Sequence, residues 1–368
     1  MQVYLDNAAT TNLRKEVLEK ITEIYEKTYA NPSSVHSFGR ESRALLENAR
    51  NRVAKNLNIL AKDIIFTSGA TESNNLAIRG IVNAKGKDKE IICSSIEHSS
   101  ILNLVKQLEL EGYIVKYIRV NENGIIDLEH LKSLINENTG LITVMAVNNE
   151  IGSIQPIEKI SDMIKGKNIH FHVDAVQMIG KKELKPYELG IDSMSISFHK
   201  LYGPKGVGVL YIKDNIEIKK AFYGGEQERN KRPGTENLHS ILLADIALDY
   251  AINNMEKESK YVKELMDYLV DNIKDLENIK IHGENRIDNI LNISIKGKNI
   301  QMLLPILDMR GIYVSGGSAC MSGSVSGSYV LKNMGLSEDE VMSSIRISLG
   351  IHNTKEEIDY LISVIKGI

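Results

Sequence analysis

Four stretches of the chain hold side chains whose types and spacing suit bond-making better than packing. The first is Thr67-Ser-Gly-Ala-Thr-Glu-Ser-Asn-Asn75. It follows a short apolar run and opens an amphipathic one. Gly69 would turn the chain into a helix whose first N–H groups, with the Thr71 hydroxyl, suit a phosphate. An ordinary helix cap would use the same residues. The stretch is neither a Walker A loop nor a GxGxxG fingerprint, so nucleotide binding loses support. The second is His170-Phe-His-Val-Asp-Ala-Val-Gln177. On a strand, alternation places His170, His172 and Asp174 on one face. Three such side chains could be half of a metal site, but no nearby His, Cys or Glu group completes a coordination shell. A carboxylate at the end of a buried strand also suits pairing with a protonated ring nitrogen, a helix cap or a salt bridge.

The third stretch is Ser197-Phe-His-Lys-Leu-Tyr-Gly-Pro-Lys-Gly206. Lys200 follows an apolar run and precedes a Gly/Pro turn, where a lysine could project into a cleft. Desolvated there, it would lose affinity for its proton and become an amine nucleophile. On the surface it would be only a charge. Ser197 and His199 beside it add hydrogen-bond donors. The fourth is Cys320, inside the Gly/Ser-rich run from Ser315 to Ser328. Free cysteine usually behaves as a small buried hydrophobe, so a thiol in such a run has no packing reason to be there. The composition predicts a mobile loop, on which a nucleophilic sulfur could travel between two partners. An incidental loop residue is the plainer alternative. Cys93 ends an apolar run and reads as core filling.

The elements that must position these groups follow from periodicity. Asp63–Phe66, Glu90–Cys93, Leu141–Ala146, Ile169–Val173 and Asp192–Ile196 read as short strands, mostly rich in β-branched residues. Amphipathic helices alternate with them. Ser99–Glu111 carries Ile101, Leu104, Val105 and Leu108 at helical spacing, and Arg14–Ala30 reads as one early helix through Val17, Ile21 and Ile24. This alternation indicates an α/β chain with a mostly parallel sheet covered on both faces. The pattern changes near residue 255. Long helices over Thr235–Met255 and Lys257–Ile273 precede short strands around Asn289–Ile295, Ile312–Val314 and Ser344–Leu349. Helices over Ile300–Met309 and Lys355–Ile365 are interleaved with them, as in a smaller α+β unit.

The 368 residues include 45 Lys and Arg against 48 Asp and Glu, a formal net charge of −3 that gives no electrostatic case for direct nucleic-acid binding. No apolar run is long enough for a membrane span, and the N-terminus lacks the basic and apolar segments of a signal peptide. Two cysteines far apart form neither a CxxC pair nor a zinc finger. A cytoplasmic protein is expected.

Together these segments resemble the cysteine desulfurases, pyridoxal-phosphate enzymes of the class V aminotransferase group. The resemblance runs essentially end to end. It begins with Tyr4-Leu-Asp-Asn-Ala-Ala-Thr-Thr11, Asn31-Pro-Ser-Ser-Val-His-Ser-Phe-Gly39 and Phe66-Thr-Ser-Gly-Ala-Thr-Glu-Ser-Asn74. It continues through Glu97-His98-Ser99, Val147-Asn-Asn-Glu-Ile-Gly152, Val173-Asp-Ala-Val-Gln177 and Ser197-Phe-His-Lys200. Arg232-Pro-Gly-Thr-Glu-Asn237, Gly317-Ser-Ala-Cys320 and Ser344-Ile-Arg-Ile-Ser348 close it. The resemblance implies a fold-type-I architecture. Residues 14–256 would form a large cofactor-binding domain, and residues 1–13 with 257–368 a smaller α+β domain carrying the Cys320 loop.

By the same resemblance, Lys200 would bond the aldehyde of pyridoxal 5'-phosphate and Asp174 would pair with its ring nitrogen. Gln177 would donate to the ring oxygen, while His98 would stack on the ring and transfer protons. Ala70, Thr71, Ser197 and His199 would hold the phosphate. Thr235 would reach the phosphate of a neighbouring subunit, which implies a homodimer. Asn149 and Arg346 would bind the carboxylate of L-cysteine, Arg346 by a bidentate fork. Cys320 would take the sulfur as a persulfide, leaving L-alanine. An iron–sulfur scaffold protein or a tRNA-thiolating enzyme would then accept it. No metal site is implied, and whether Cys320 transiently ligates a nascent iron–sulfur cluster stays open.

Glu226 and Asn230 stand where glycines are common in the family, and Gly350-Ile-His-Asn-Thr354 replaces a frequent Arg-Phe-Thr-Thr run. These departures bear on acceptor preference and dimer contacts. The loop length resembles the subgroup serving general iron–sulfur assembly and tRNA thiolation. A class V aminotransferase or selenocysteine lyase would share the lysine–aspartate pair, but a simple aminotransferase has no need of Cys320. A non-enzymatic sulfur-handling scaffold is disfavoured by the presence of both Lys200 and Asp174.

Overall fold

Short strands that are buried on both faces must hydrogen-bond to one another, and here they build one central sheet. The computed structural model describes residues 1–317 and 327–368; residues 318–326, which include Cys320 and most of the run expected to be mobile, lie outside the described residues. In chain order the strands are β1 (Val3–Tyr4), β2 (Ile64–Thr67), β3 (Glu90–Ser94), β4 (Val115–Ile118), β5 (Thr139–Met145) and β6 (His170–Asp174). They continue with β7 (Ser193–Ser197), β8 (Gly208–Ile212), β9 (Ile279–His282), β10 (Ile290–Ile295), β11 (Ile312–Tyr313) and β12 (Ser344–Ser348).

The central sheet has the order β2-β8-β7-β6-β5-β3-β4. Neighbours from β7 to β4 are parallel, whereas β8 runs antiparallel to both β2 and β7. The expected α/β architecture with a mostly parallel sheet is therefore present. Every residue of β3, β5, β6, β7 and β8 is buried, as a sheet with helices on both faces requires. The helix Ala70–Lys85 crosses one face against β5 to β8. On that face β6 presents His170, His172 and Asp174. Its alternate residues Phe171 and Val173 join the apolar core on the other face.

A second sheet, β9-β10-β12, is antiparallel throughout. Its apolar side packs on the helices Met255–Ile273 and Lys355–Lys366, with Val3 and Leu5 of the N-terminal segment inserted into the same cluster. β1 pairs with β11 in parallel, which fastens the first residues to this unit. Asn353, inside the unusual Gly350–Thr354 run, accepts from Gly350 N–H and donates to the Tyr4 carbonyl, joining the same segment from the other side.

The single helix expected over Arg14–Ala30 is two, Lys15–Leu18 and Ile21–Lys27. The apolar spacing that predicted it is real, because Val17, Ile21 and Ile24 pack with Leu243 and Ala247 of one neighbouring helix. Two short helices meet that surface as well as one long helix, so spacing alone does not reveal the break.

One buried ion pair holds a strained turn. Glu228, Arg229 and Asn230 have φ of 46, 56 and 63°, a left-handed run that disfavours side chains. Glu228 takes both guanidinium arms of Arg50 at 2.8 and 2.7 Å and also accepts from Phe66 N–H at 2.8 Å. Both ionic side chains are almost fully buried. Glu228→Ala would leave both outer nitrogens of the buried Arg50 without their carboxylate, with only Glu47 at 3.2 Å from Nε remaining. A loss of about 3–5 kcal/mol is expected in denaturant unfolding. Glu228→Gln, which keeps hydrogen-bonding capacity, should lose less; equal stability of all three proteins would refute the role assigned to the pair.

Candidate active site

The carboxyl ends of parallel strands are where α/β sheets bind ligands, and the chemistry-bearing residues collect there. Thr67 ends β2, Met145 ends β5, Asp174 ends β6 and Ser197 ends β7; His98 follows β3 by four residues. A cavity of about 500 Å³ opens at these ends. Ala70, Thr71, His98, Asn149, Asp174, Gln177, Ser197, His199, Lys200 and Arg346 all line it. Thr235 does not; it is exposed in the single chain. Cys320 lies outside the described residues.

Lys200 ends a single 3₁₀ turn directly after β7. Its Nζ donates to the carbonyl of Ala8 at 2.6 Å and to that of Ala9. Gln177 Nε2 donates to the same Ala8 carbonyl at 2.9 Å, and its Oε1 accepts from Lys181 Nζ at 3.2 Å. Burial and the neighbouring Lys200 push the Lys181 amine down to about 7. The N-terminal segment also reaches His199, whose Nδ1 is 3.1 Å from Thr10 Oγ1. Burial, then the charges of Lys200 and Lys205, lower His199 to about 4, so it is a neutral ring.

Asp174 is buried, and its two oxygens are separately held. Asn74 Nδ2 donates to Oδ2 at 2.9 Å and Val176 N–H donates to Oδ1 at 3.1 Å. Asn74 also donates to Ser100 Oγ at 2.9 Å, which lies 2.9 Å from His98 Nδ1. His98 caps the helix Ser99–Leu110 through that nitrogen. Because Nδ1 accepts from the Ser100 N–H, the neutral ring carries its proton on Nε2, and the Ser100 hydroxyl donates to Nδ1. Burial lowers the His98 pKa and Lys200 lowers it further, against an upward pull from Asp174.

At the far end, Arg346 lies on β12 and is 1 % exposed. Its two arms donate to Asp6 Oδ1 at 2.6 Å and to the Asn149 carbonyl at 2.9 Å. Arg346 Nε and Asn149 Oδ1 are buried with no partner among the described residues. The guanidinium is thus already half engaged by the protein, and the free fork expected from the resemblance is only partly available.

These residues fit pyridoxal phosphate. The start of the helix Ala70–Lys85 supplies first-turn N–H groups and Thr71 for a phosphate, with Ser197, His199 and Lys205 around it. Gly208 makes that turn possible: a Cβ there would stand 2.6 Å from Gly69 Cα. An amine able to form an imine and a carboxylate able to hold a ring N–H line the same cavity. His170 Nε2 and both ring nitrogens of His172 lie within hydrogen-bond distance of Ser193 Oγ or Asn74 Oδ1. Among the described residues no group of three His, Cys, Asp or Glu could hold a metal ion, and no helix is long and apolar enough to cross a membrane.

Residue types alone did not single out several contributors: the Ala8 and Ala9 carbonyls, Thr10, Lys181, Asp6 and Asn74. The Tyr4–Thr11 motif is the available signal for Asp6, Ala8, Ala9 and Thr10, and the Phe66–Asn74 motif for Asn74. Lys181, four residues beyond Gln177, had only helical spacing to suggest contact.

A fold of this kind with such a cavity is a cofactor-dependent transferase. The chain belongs to the aminotransferase class-V family, whose model matches residues 3–361. The cysteine desulfurase IscS of Dictyoglomus turgidum is 43 % identical over 371 residues, covering 100 % of this chain and 94 % of that protein. A NifS-like protein from Rickettsia africae superposes with a TM-score of 0.90 at 35 % identity, covering all of both chains. A structure of SspA in complex with cysteine gives a TM-score of 0.85 at 34 % identity, over 96 % of this chain and 100 % of that one.

Glu97, next to His98, is fully buried and accepts from Met145 N–H at 2.6 Å. Burial, then the charge of Asp174, raises its carboxyl to about 8. The native state therefore keeps a proton that the unfolded chain releases near the ordinary carboxylate value. Stability should fall as pH rises from about 4.5 through 8. Thermal unfolding across that range should show a weaker decline for Glu97→Gln; an identical slope would refute the protonated carboxyl.

Proposed function

We propose that the protein is a pyridoxal-phosphate-dependent cysteine desulfurase that converts L-cysteine to L-alanine and carries the sulfur on Cys320. The observation that carries the reading is the meeting of Lys200 and Asp174 in one cavity, with a helix start at one end and Arg346 at the other. The full-length similarity to cysteine desulfurases supports it. Bound here, the cofactor would supply an electron sink that lets bonds around the cysteine α-carbon break.

Lys200 would hold the cofactor covalently, and Asp174 would accept the ring N–H. Gln177, pinned through Oε1 by Lys181, would offer its N–H to the ring oxygen. Ala70, Thr71, Ser197 and His199 would bind the phosphate, joined by Thr235 from a second copy in a homodimer. Asn149 and Arg346 would orient the substrate carboxylate, and His98 would move the proton. The Cys320 thiolate would then attack the substrate sulfur. A sulfur–sulfur bond forms as the carbon–sulfur bond breaks, and the carbon skeleton takes up protons to become alanine.

Chain anchoring supports this role for Cys320. Ser315 and Arg346 exchange backbone hydrogen bonds at 3.2 and 2.6 Å, and Ser328 Oγ donates to Glu150, the neighbour of Asn149. Cys320 is three positions after Gly317 in the chain, a separation of about 11 Å at most. We further propose the division at residues 14–256 and 1–13 with 257–368, supported by the separate apolar cluster around β10 and β12. A cytoplasmic location, and delivery to an iron–sulfur scaffold protein or a tRNA-thiolating enzyme, complete the reading.

Lys200→Ala should lose the visible absorption of the bound cofactor. Cys320→Ser should keep that absorption and lose persulfide formation; sulfide delivery at the parental rate would overturn the assignment. Arg346→Lys keeps the charge but not the fork, and steady-state kinetics should give a KM for L-cysteine raised about 10-fold or more. An unchanged KM would remove Arg346 from the substrate subsite. Labelled sulfur transferred from loaded Cys320 to each acceptor would identify the physiological one.

A further inference from the structure

Behind Asp174 a line of buried polar side chains runs along the sheet. His170 Nε2 is 2.7 Å from Ser193 Oγ, and the same oxygen is 2.8 Å from His172 Nδ1. His172 Nε2 is 3.0 Å from Asn74 Oδ1, and Asn74 Nδ2 is 2.9 Å from Asp174 Oδ2. The strand register explains the contacts, because His172 on β6 is the direct partner of Ser193 on β7. None of the five side chains belongs to a residue more than 5 % exposed.

The direction of every bond in this line can be derived. A carboxylate only accepts, so the Asn74 atom beside Asp174 is the NH₂ group. Asn74 Oδ1 therefore accepts, and His172 must carry its proton on Nε2. Burial lowers both His170 and His172 to about 3, so each ring is neutral and has one N–H. His172 Nδ1 is then an acceptor and takes the single Ser193 hydroxyl proton. Ser193 Oγ in turn accepts from His170 Nε2–H. Lys85 and Lys213 lie close enough to His170 to oppose its protonation. All donors point the same way, toward Asp174.

We propose that His172, fixed by Ser193 and His170, is a positioning residue that holds Asp174 charged as the counter-ion of the cofactor's ring nitrogen. Donors aligned in series polarise one another, so the last N–H in the line is a better partner for an anion than an isolated amide. A core needing only volume would use apolar side chains here, as the neighbouring cluster does with Ile91, Leu141 and Leu210. The inference rests on the reading that pyridoxal phosphate binds at Asp174.

The test uses the full-length protein and its His172→Phe, His172→Gln and Ser193→Ala variants, each reconstituted with pyridoxal phosphate labelled with ¹⁵N in the ring. The parental ring nitrogen should resonate as protonated. In His172→Phe the resonance should move toward the unprotonated position, and in Ser193→Ala by a smaller step in the same direction. His172→Gln, whose amide can donate to Asn74 Oδ1, should return it toward the parental value. Should His172→Phe fail to fold, Ser193→Ala, which loses one hydroxyl, decides alone. Parental resonances in folded, cofactor-loaded variants would overturn the proposal, as would a shift in His172→Phe that glutamine does not reverse. Absence of visible cofactor absorption in the parental protein would instead overturn the functional reading beneath it.

Discussion

A carboxylate keeps its charge inside a protein only where donors replace the water it has lost. Asp174 stands at the end of a strand with no exposed residue, and its donors come from two elements: Asn74 on the covering helix and Val176 N–H in the turn that follows. Asn74 would not be in place if the helix Ala70–Lys85 crossed the sheet at another height. The same helix presents its start to the cavity, where we propose the phosphate binds. One crossing helix therefore fixes the distance between the anion-binding turn and the acidic side chain. A bound cofactor with a phosphate and a ring nitrogen needs that distance held.

The N-terminal segment does for the cations what the helix does for the carboxylate. Asp6 pairs with Arg346 on β12, and the Ala8 carbonyl receives Lys200 and Gln177 from the central sheet. Asn7 adds a hydrogen bond to the Ser348 carbonyl. The segment starts in the separate β1–β11 pair and ends against His199 beside Lys200. It ties the arginine end of the cavity to the lysine end with few residues. Because two of its contributions are backbone carbonyls, side-chain chemistry at positions 8 and 9 is dispensable, and alanine suffices.

This explains which parts of the site are legible in the sequence. Strand ends are marked by apolar runs that stop at polar residues, so Asp174, Ser197 and Lys200 stand out. Alternation correctly puts His170, His172 and Asp174 on one face. A backbone carbonyl leaves no trace in residue type, so the roles of Ala8 and Ala9 are hidden behind two small apolar letters. Asn74 is hidden differently: it sits inside a helical run as a polar residue, which normally faces water, and only the sheet beneath shows it to be wholly buried. Helical spacing also fails to show a break where both halves pack on one surface, as Val17 and Ile24 do. Thr235 is exposed and outside the cavity in the single chain, so nothing in its surroundings marks it.

Glu72, Asp174, Lys200, Lys205 and Arg346 line this cavity, and several groups buried around them stay neutral for a physical reason. Burial leaves His170, His172 and His199 as neutral rings, and Glu97 retains its proton at neutral pH. Each would otherwise compete with a charge the chemistry requires, Glu97 by repelling Asp174 and His199 by repelling Lys200. Neutral groups still donate and accept hydrogen bonds, so they orient the reactive side chains without adding fields of their own. Low dielectric strengthens every charge that remains. Fewer charges acting over shorter distances let Asp174 and Arg346 each set the field in its own part of one cavity. An amino acid held by its carboxylate at Arg346 would then meet the ring beside Asp174 with neither anion disturbing the other.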